Sequence, residues 1–178
     1  MSIIMIAVAV VGLVFAILAQ GARRHWLVIG SAVVVAAAVV ASVAVPPAGQ
    51  PTWAAVAIGI VFSAIGVLGG SPVVALVLRF AQGGVELGDH GGIVVDDDAP
   101  HGREILRGGA TIGYLERFAL IGAVIAGQAA AVALIIAIKG LGRFSELDDS
   151  RARERFIIGT LTSLCWAGAC VAAAIIAS

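Results

Sequence analysis

Long apolar stretches, separated by short polar segments, dominate the pattern along this chain. A membrane-spanning helix needs about 20 apolar residues, because the hydrocarbon core is about 30 Å thick and a helix rises 1.5 Å per residue. No stretch has the polar face of a helix that packs in water. The pattern predicts an all-α integral membrane bundle of about five transmembrane helices. The apolar runs cover residues 3–19, 26–45, 53–70, 118–138 and 156–177.

Composition supports the membrane assignment. The chain is 61% hydrophobic and 12% charged, whereas soluble domains carry about 25% charged residues. Net charge is zero, so no basic footprint for nucleic acid exists. The first run resembles a signal peptide in length, but it lacks a basic leading segment and a clear cleavage site. The lipid bilayer is therefore the expected partner, and nucleic acid is not.

Breaks in the apolar pattern divide the chain into three parts. Residues 1–80 hold the first three helices, with a kink expected at 69–72, where two glycines precede Pro72. Either a short interfacial helix or a continuation of the same helix follows. Residues 81–114 form a polar Gly/Asp-rich loop, which has room for short β-strands at 85–87 and 93–95. Residues 115–178 hold the last two helices, joined by a charged loop at 139–155, and the final helix is expected to begin near Ser150 as an N-cap.

Gln128 is the one strongly polar side chain in the middle of a run, at the centre of 118–138. An unpaired amide in hydrocarbon costs several kcal/mol, so the side chain should face protein, water or a ligand. It either pairs two helices by a hydrogen bond or belongs to a transport or substrate site. Ser63, near the middle of the third run, is a candidate partner.

Small residues recur at every fourth position on the last two runs. Such stripes allow close helix approach, and they predict that these two helices form the tightest pair, with Gln128 facing another neighbour inside the bundle. They also favour a homo-oligomer or a membrane partner subunit. The stripes are Gly122, Ala126 and Ala130 on one run, and Gly159, Ser163 and Ala167 on the other.

The charged segments that flank the fourth run are the most distinctive sequence motifs in the chain. Residues 107–117 read Arg-Gly-Gly-Ala-Thr-Ile-Gly-Tyr-Leu-Glu-Arg, residues 139–144 read Lys-Gly-Leu-Gly-Arg-Phe, and residues 158–160 read Ile-Gly-Thr. This text resembles the C-terminal region of an uncharacterised family of bacterial polytopic membrane proteins, over about residues 107–163. The His-Leu-x-Gly-Asp-Phe-like segment of longer members is missing. The resemblance implies a multi-pass protein of the bacterial inner membrane and indicates no activity.

The same region supplies the charged candidates for ligand binding or helix pairing. Anchoring of snorkelling side chains at the membrane surface is the alternative interpretation for all of them. The candidates are Glu116, Arg117, Lys139, Arg143, Glu146, Glu154 and Arg155.

The polar loop carries carboxylates and imidazoles that a divalent cation can use as ligands. Their spacing matches no recognised metal motif, so a solvated acidic loop is the preferred interpretation, and no metal or other cofactor is expected. No phosphate-binding loop and no serine-hydrolase motif accompanies them. The residues concerned are Asp89, His90, Asp96, Asp98 and His101.

Two functions fit these features. The first is a non-enzymatic membrane subunit or transport-type component. The second is a membrane-embedded enzyme or lipid-headgroup binder, with Glu116, Arg117, Lys139 and Arg143 around an interfacial pocket. A straight helix would hold Arg117 and Lys139 about 33 Å apart, so the second function requires the fourth helix to be broken.

Five spans would divide the basic residues almost equally between the two sides of the membrane. Arg23, Arg24 and four others would lie on one side, and Lys139 with four others on the opposite side. The positive-inside rule therefore gives no clear orientation for such a topology.

Overall fold

The protein is an all-α bundle, as the apolar runs predict. The computed structural model describes residues 2–21, 25–44, 49–82, 93–94, 104–105, 109–142 and 150–178. Four helices, α1, α2, α3 and α6, are long and apolar enough to cross a membrane. The described residues form six helices, α1 (Ser2–Gly21), α2 (His25–Ala44), α3 (Thr52–Gln82), α4 (Gly109–Ile125), α5 (Ala129–Gly142) and α6 (Ser150–Ala177).

Helices α3 and α6 form the centre of the bundle and run antiparallel. Gly66 of α3 lies against Cys170, and Val74, further along α3, lies against Gly159. The indole Nε1 of Trp166 donates a hydrogen bond to the carbonyl oxygen of Ile65 at 3.2 Å. The contact between α3 and α6 is the most extensive helix–helix contact in the described chain. The prediction that the helices now numbered α4 and α6 form the tightest pair is therefore wrong.

Helices α1 and α2 pack as an antiparallel pair beside α3. Gly12 of α1 lies against Val34 of α2, and Gly30 of α2 lies against Phe15 of α1. Each glycine allows this close approach because it has no β-carbon. A β-carbon built at either position would lie 2.7 Å from the facing side chain. We call the end of the bundle that holds Gly21, His25, Gln82 and Ser150 the charged end. The uncharged end holds Ser2, Ala44, Thr52 and Ala177.

The run at 118–138 is not one transmembrane helix, and that prediction is wrong. Helix α4 ends at Ile125 and α5 begins at Ala129. Between them Gly127 takes a φ of 70°, which glycine adopts at little cost. The Gln128 amide donates to the Ala123 carbonyl at 2.8 Å, and the Gly127 amide donates to the Val124 carbonyl at 3.0 Å. This pair of bonds is a Schellman helix end.

Helix α5 therefore folds back along α4 as a helical hairpin. Lys139, near the end of α5, forms an ion pair with Glu116 in the middle of α4. Both ends of the hairpin lie toward the charged end of the bundle. Gln128 sits at the exposed tip and not inside the bundle. A β-carbon at Gly122 would meet no atom within 4 Å, so the small-residue stripe on α4 does not form a helix interface either.

Helix α3 continues through the expected kink region. Its 31 residues include Pro72, so of the two alternatives the single helix is the one found, and residues 73–80 belong to it. Two short strands lie between α3 and α4: β1 (Ile93–Val94) pairs antiparallel with β2 (Glu104–Ile105). Of the strands expected at 85–87 and 93–95, the second is found at Ile93–Val94, and residues 85–87 lie outside the described residues. Helix α6 begins at Ser150, as predicted.

Candidate functional site

Arg117 is a buried arginine whose guanidinium is held by neutral groups. Its side chain is 2% exposed. Nε donates to the carbonyl oxygen of Val67 at 2.8 Å, and the two terminal nitrogens donate to Ser163 Oγ at 3.1 Å and Ser71 Oγ at 3.0 Å. The ring of Tyr114 lies 5.1 Å from the guanidinium carbon. The side chain is thus fixed between α3 and α6.

Glycines on α3 make room for this arginine. A β-carbon at Gly70 would come within 2.5 Å of Arg117 Cδ and Nε, so the side chain lies directly on the backbone of α3. A β-carbon at Gly69 would come within 2.9 Å of the Trp166 ring. Pro72 lies two residues beyond Gly70 and has no amide hydrogen for the Leu68 carbonyl. The carbonyl that Arg117 binds is that of the neighbouring Val67, so this part of α3 offers α4 both space and an acceptor.

The two serines that accept hydrogen bonds from Arg117 retain their own hydroxyl protons. A serine hydroxyl has one donor and two acceptor sites. Ser42 uses its donor on the carbonyl of Ala38 at 2.8 Å, but Ser71 and Ser163 make no such bond in the described part of the chain. Both serines line the cavity beside Arg117. Their protons can therefore be donated to a ligand.

Glu116 and Lys139 form the second polar contact of the site. Their side chains are 14% and 19% exposed, and the ammonium of Lys139 is hydrogen bonded to Glu116 Oε2. The same ammonium lies 6.0 Å from the ring centroid of Phe156 on α6. The Glu116 charge is thus balanced by Lys139, and the pair joins α4, α5 and α6 at one level of the bundle.

A cavity of about 170 Å³ lies between α3, α4 and α6, with Lys139 at its α5 side. One part of its wall is apolar and includes Val74, Ala75, Leu78, Ile112 and Phe156. The other part is polar. The polar wall consists of Ser71, Glu116, Arg117, Lys139, Arg155, Thr160 and Ser163.

Among the described residues of this wall, Arg117 has a positive charge that no carboxylate balances. Glu116 is the only carboxylate that lines the cavity within the described residues, and it is paired with Lys139. No carboxylate of the described chain forms an ion pair with Arg117. A guanidinium stays protonated in proteins and favours carboxylate or phosphate partners. The arrangement of donors around an unbalanced positive charge is suited to an oxyanion.

The depth of the site is set by its position on α6. Ser163 lies eight residues beyond Arg155, the last charged residue of that helix, which is roughly 12 Å at 1.5 Å per residue. Arg79 marks the same level on α3 in its last turn, eight residues beyond Ser71. Arg117 therefore binds its partners well inside the apolar part of the bundle and does not snorkel to the end of its helix.

Four of the charged candidates from the sequence converge on this cavity: Glu116, Arg117, Lys139 and Arg155. Glu154 is exposed on α6 and does not line it. Ser63 is half-buried on α3 and forms no side-chain hydrogen bond in the described chain, so it does not pair with Gln128. The candidates outside the described residues are Arg143, Glu146, Asp89, His90, Asp96, Asp98 and His101.

Several residues of the site carried no functional signal in the sequence. Gly70 and Ser71 pointed only to a helix break, and Thr160 is one of several small polar residues in α6. Ser163 appeared only as a member of a small-residue stripe. Their role follows from the packing of α3, α4 and α6 on one another.

No group of three or more metal-ligating side chains is found among the described residues. Of the known proteins compared with this chain, no family model, no curated protein and no solved structure matches it. The function therefore has to be argued from the cavity itself.

Proposed function

We propose that this chain is a non-enzymatic, multi-pass membrane protein that acts by binding an anionic group in the Arg117 cavity. The observation that carries the proposal is the buried guanidinium, hydrogen bonded to neutral groups alone and without a carboxylate partner in the described chain. Ionisable residues inside membrane bundles are costly and usually mark a binding site or pathway. A phosphate or carboxylate would balance this charge.

A lipid-headgroup site that includes both Arg117 and Lys139 requires a break in the fourth predicted helix. The break between α4 and α5 fulfils this requirement. Because the hairpin returns Lys139 to Glu116, the charged residues on both sides of the break lie around one cavity. The remaining N–H groups of Arg117 and the hydroxyls of Ser71, Ser163 and Thr160 supply donors. Charge-assisted hydrogen bonds from such donors are about twice as strong as neutral ones.

Binding without chemistry is the function that the cavity favours. Within the described residues, no histidine and no cysteine lines it. Ser71 and Ser163 lie beside a guanidinium, which cannot accept a proton from a nucleophile. The two serines beside Arg117 thus supply donors for an anion, and the guanidinium next to them cannot act as a general base.

The positions of the basic residues support an orientation with the charged end in the cytoplasm, and the bacterial inner membrane is the location that the sequence resemblance implies. All eleven Lys and Arg residues fall on helices near the charged end or in segments that join helix ends there. The uncharged end has none. Positively charged segments remain in the cytoplasm during insertion. The hairpin removes the near-equal division that five spans would give.

A transport-type component is a second candidate, and the helix break supports it. Broken helices inside a membrane occur where they line a cavity or a substrate pathway. Transport predicts net movement of the anion across a sealed vesicle that contains the purified protein. Binding alone predicts none.

Ligand-dependent unfolding of the purified protein in a non-ionic detergent tests the proposal. The probes are inorganic phosphate and dihexanoyl phosphatidic acid, with sodium chloride at equal ionic strength as the control. A ligand at 100 times its Kd stabilises the folded state by about 2.7 kcal/mol. We expect at least one phosphate probe to raise the melting temperature of the wild type.

The same shift should be lost in Arg117→Lys, which retains the charge but not the planar set of donors. Ser63→Ala is the matched control, because Ser63 makes no side-chain hydrogen bond in the described chain. Its shift should equal that of the wild type. Absence of a shift with both phosphate probes would refute the proposed function.

A further inference from the structure

We infer that the anion is a phosphate carried by a membrane lipid, and that the lipid reaches the cavity sideways from the bilayer between α5 and α6. This inference rests on the proposed function and names the source of its ligand. It is drawn from the depth of the site, the open side of the hairpin, the apolar wall and the size of the cavity.

Depth favours a ligand that is already in the membrane. Arg117 binds Ser163 roughly 12 Å along α6 from Arg155. A phosphate that binds there loses its hydration whether it is free or carried by a lipid, but only a lipid also brings carbon atoms to Leu78 and Ile112, which line the same cavity. Taking an unpaired charge out of water is costly. A lipid phosphate starts at the membrane surface with its chains already in hydrocarbon.

The seam between α5 and α6 provides the lateral route. Within the described chain, α5 has its helix–helix packing with α4 alone. At the cavity, Lys139 of α5 lies 6.0 Å from the centroid of the Phe156 ring on α6. Leu134 and Ile138, on α5, are exposed to the surroundings of the bundle. Movement of the Lys139 and Phe156 side chains would open the cavity toward lipid without separating α3 from α6.

The apolar wall suits the carbon atoms next to a lipid phosphate. Val74, Ala75 and Phe156 face the same cavity as the donors around Arg117. A headgroup phosphate could bind the polar wall while the first methylene groups contact this apolar wall. A free phosphate ion would gain nothing from these contacts.

Cavity size limits what can enter. A cavity of about 150 Å³ accommodates a molecule of the size of benzene, and this one measures about 170 Å³. It can take a phosphate group with the carbons closest to it, but not two acyl chains. The chains would therefore remain in the bilayer and pass through the seam.

The experiment measures Kd values in non-ionic detergent for four probes. They are dihexanoyl phosphatidic acid, glycerol 3-phosphate, inorganic phosphate and uncharged dihexanoyl glycerol. We expect dihexanoyl phosphatidic acid to bind at least tenfold more tightly than each of the others, because it alone combines the phosphate with the chains.

Two glycines of α6 provide a matched pair of variants. Gly159 lines the cavity, and an added β-carbon would meet only Val74 Cγ1 at 3.5 Å, an ordinary contact. Gly159→Leu should fill the cavity and weaken phosphatidic acid binding at least tenfold. Gly168 has no atom within 4 Å of an added β-carbon, so Gly168→Leu should bind within twofold of the wild type. If Gly159→Leu does not fold, Thr160→Val removes one donor from the cavity and should weaken binding at least threefold.

The remaining outcomes separate the two proposals. Equal Kd values for glycerol 3-phosphate and phosphatidic acid would overturn lateral lipid entry and leave anion binding intact. Equal Kd values for dihexanoyl glycerol and phosphatidic acid would show that the chains alone bind, which also overturns the inference. If neither phosphatidic acid nor the soluble phosphates bind, the proposed function itself fails.

Discussion

Arg117 and Gly70 are in direct contact, with the arginine side chain resting on the backbone of α3. A β-carbon at Gly70 would lie 2.5 Å from Arg117 Cδ and Nε and 2.7 Å from Cζ. These atoms cannot move away easily, because the guanidinium is hydrogen bonded to Val67, Ser71 and Ser163. The glycine thus provides the space that the Arg117 side chain occupies, although it does not itself line the cavity.

Gly70→Ala should therefore destabilise the protein by about 1–3 kcal/mol, the usual cost of overpacking. Gly59→Ala on the same helix is the control, since an added β-carbon there meets no atom within 4 Å. Alanine is the better helix former by about 0.5–1 kcal/mol, so Gly59→Ala should be neutral or stabilising. Unfolding in mixed micelles measures both. Equal effects of the two substitutions would contradict the close contact.

Ser163→Ala should cost about 1–3 kcal/mol. The substitution leaves a buried N–H of Arg117 without its acceptor, and an unsatisfied buried donor carries a penalty of that size. Ser63→Ala, on half-buried Ser63 without a side-chain hydrogen bond in the described chain, should stay within about 0.5 kcal/mol. Denaturation curves of the two variants give the comparison. A loss below 0.5 kcal/mol for Ser163→Ala would argue against the Arg117 bond.

Glu116 and Lys139 should be energetically coupled. Removing one partner leaves a partly buried charge without its counter-ion, whereas removing both does not. In a double-mutant cycle with Glu116→Gln and Lys139→Met, we expect a coupling energy of about 0.5–3 kcal/mol. Additive effects would mean that α5 does not return to α4 as the hairpin requires.

Gly127→Ala should destabilise the hairpin by about 1 kcal/mol. Gly127 has a φ of 70°, and an alanine pays for this left-handed conformation, whereas a glycine does not. Gly122→Ala is the matched control in the adjoining helix, with a free position for its β-carbon, and it should be neutral or stabilising. Thermal unfolding distinguishes them. The opposite order would indicate that the helix continues through this position.

The proposed topology predicts that residues 97 and 149 are accessible from the same side of the membrane. The hairpin returns to the side where α3 ends and α6 begins, whereas a fifth span would separate the two positions. Single cysteines at Asp97, Asp149 and Gly49, in a background with Cys165→Ala and Cys170→Ala, can be labelled with a membrane-impermeant maleimide. Asp97 and Asp149 should react from the cytoplasm and Gly49 from outside. Reaction of Asp97 and Asp149 from opposite sides would restore the five-span arrangement.

Four of the five helices that apolar length predicts are found in the structure. Three of the four long helices follow the predicted runs closely, and α6 begins at the predicted Ser150. The hydropathy pattern alone is sufficient to predict these helices, because a chain in hydrocarbon must satisfy its backbone hydrogen bonds within the helix. Helix α3 also continues past Pro72, as one of the two alternatives at that position allowed.

The helix break at Gly127 could not be predicted, because the sequence does not distinguish this glycine from the others. The chain contains 23 glycines, and most of the glycines within the apolar runs do not interrupt a helix. Neither proline nor charge marks this one, and the apolar run continues across it. Gln128 was the visible signal, but its polarity pointed equally well to a buried position in a continuous helix.

The inward direction of Arg117 was also beyond sequence reasoning. An arginine near the end of an apolar run normally extends to the membrane surface. Here the acceptors lie on other helices, at Val67 and Ser71 on α3 and Ser163 on α6. Those residues become neighbours only after the helices pack, so the site depends on contacts between residues far apart in sequence.

The hairpin has a consequence for how the chain is inserted. Charged side chains are absent from the described part of the uncharged end and from residues 45–48 beside it. In the proposed topology, no Lys, Arg, Asp or Glu between Ser2 and Ser178 has to be carried across the hydrocarbon layer, since α4 and α5 would enter and return on the same side. Insertion machinery would translocate only neutral loops, and the barrier that normally opposes moving charge through a bilayer would not arise for this part of the protein.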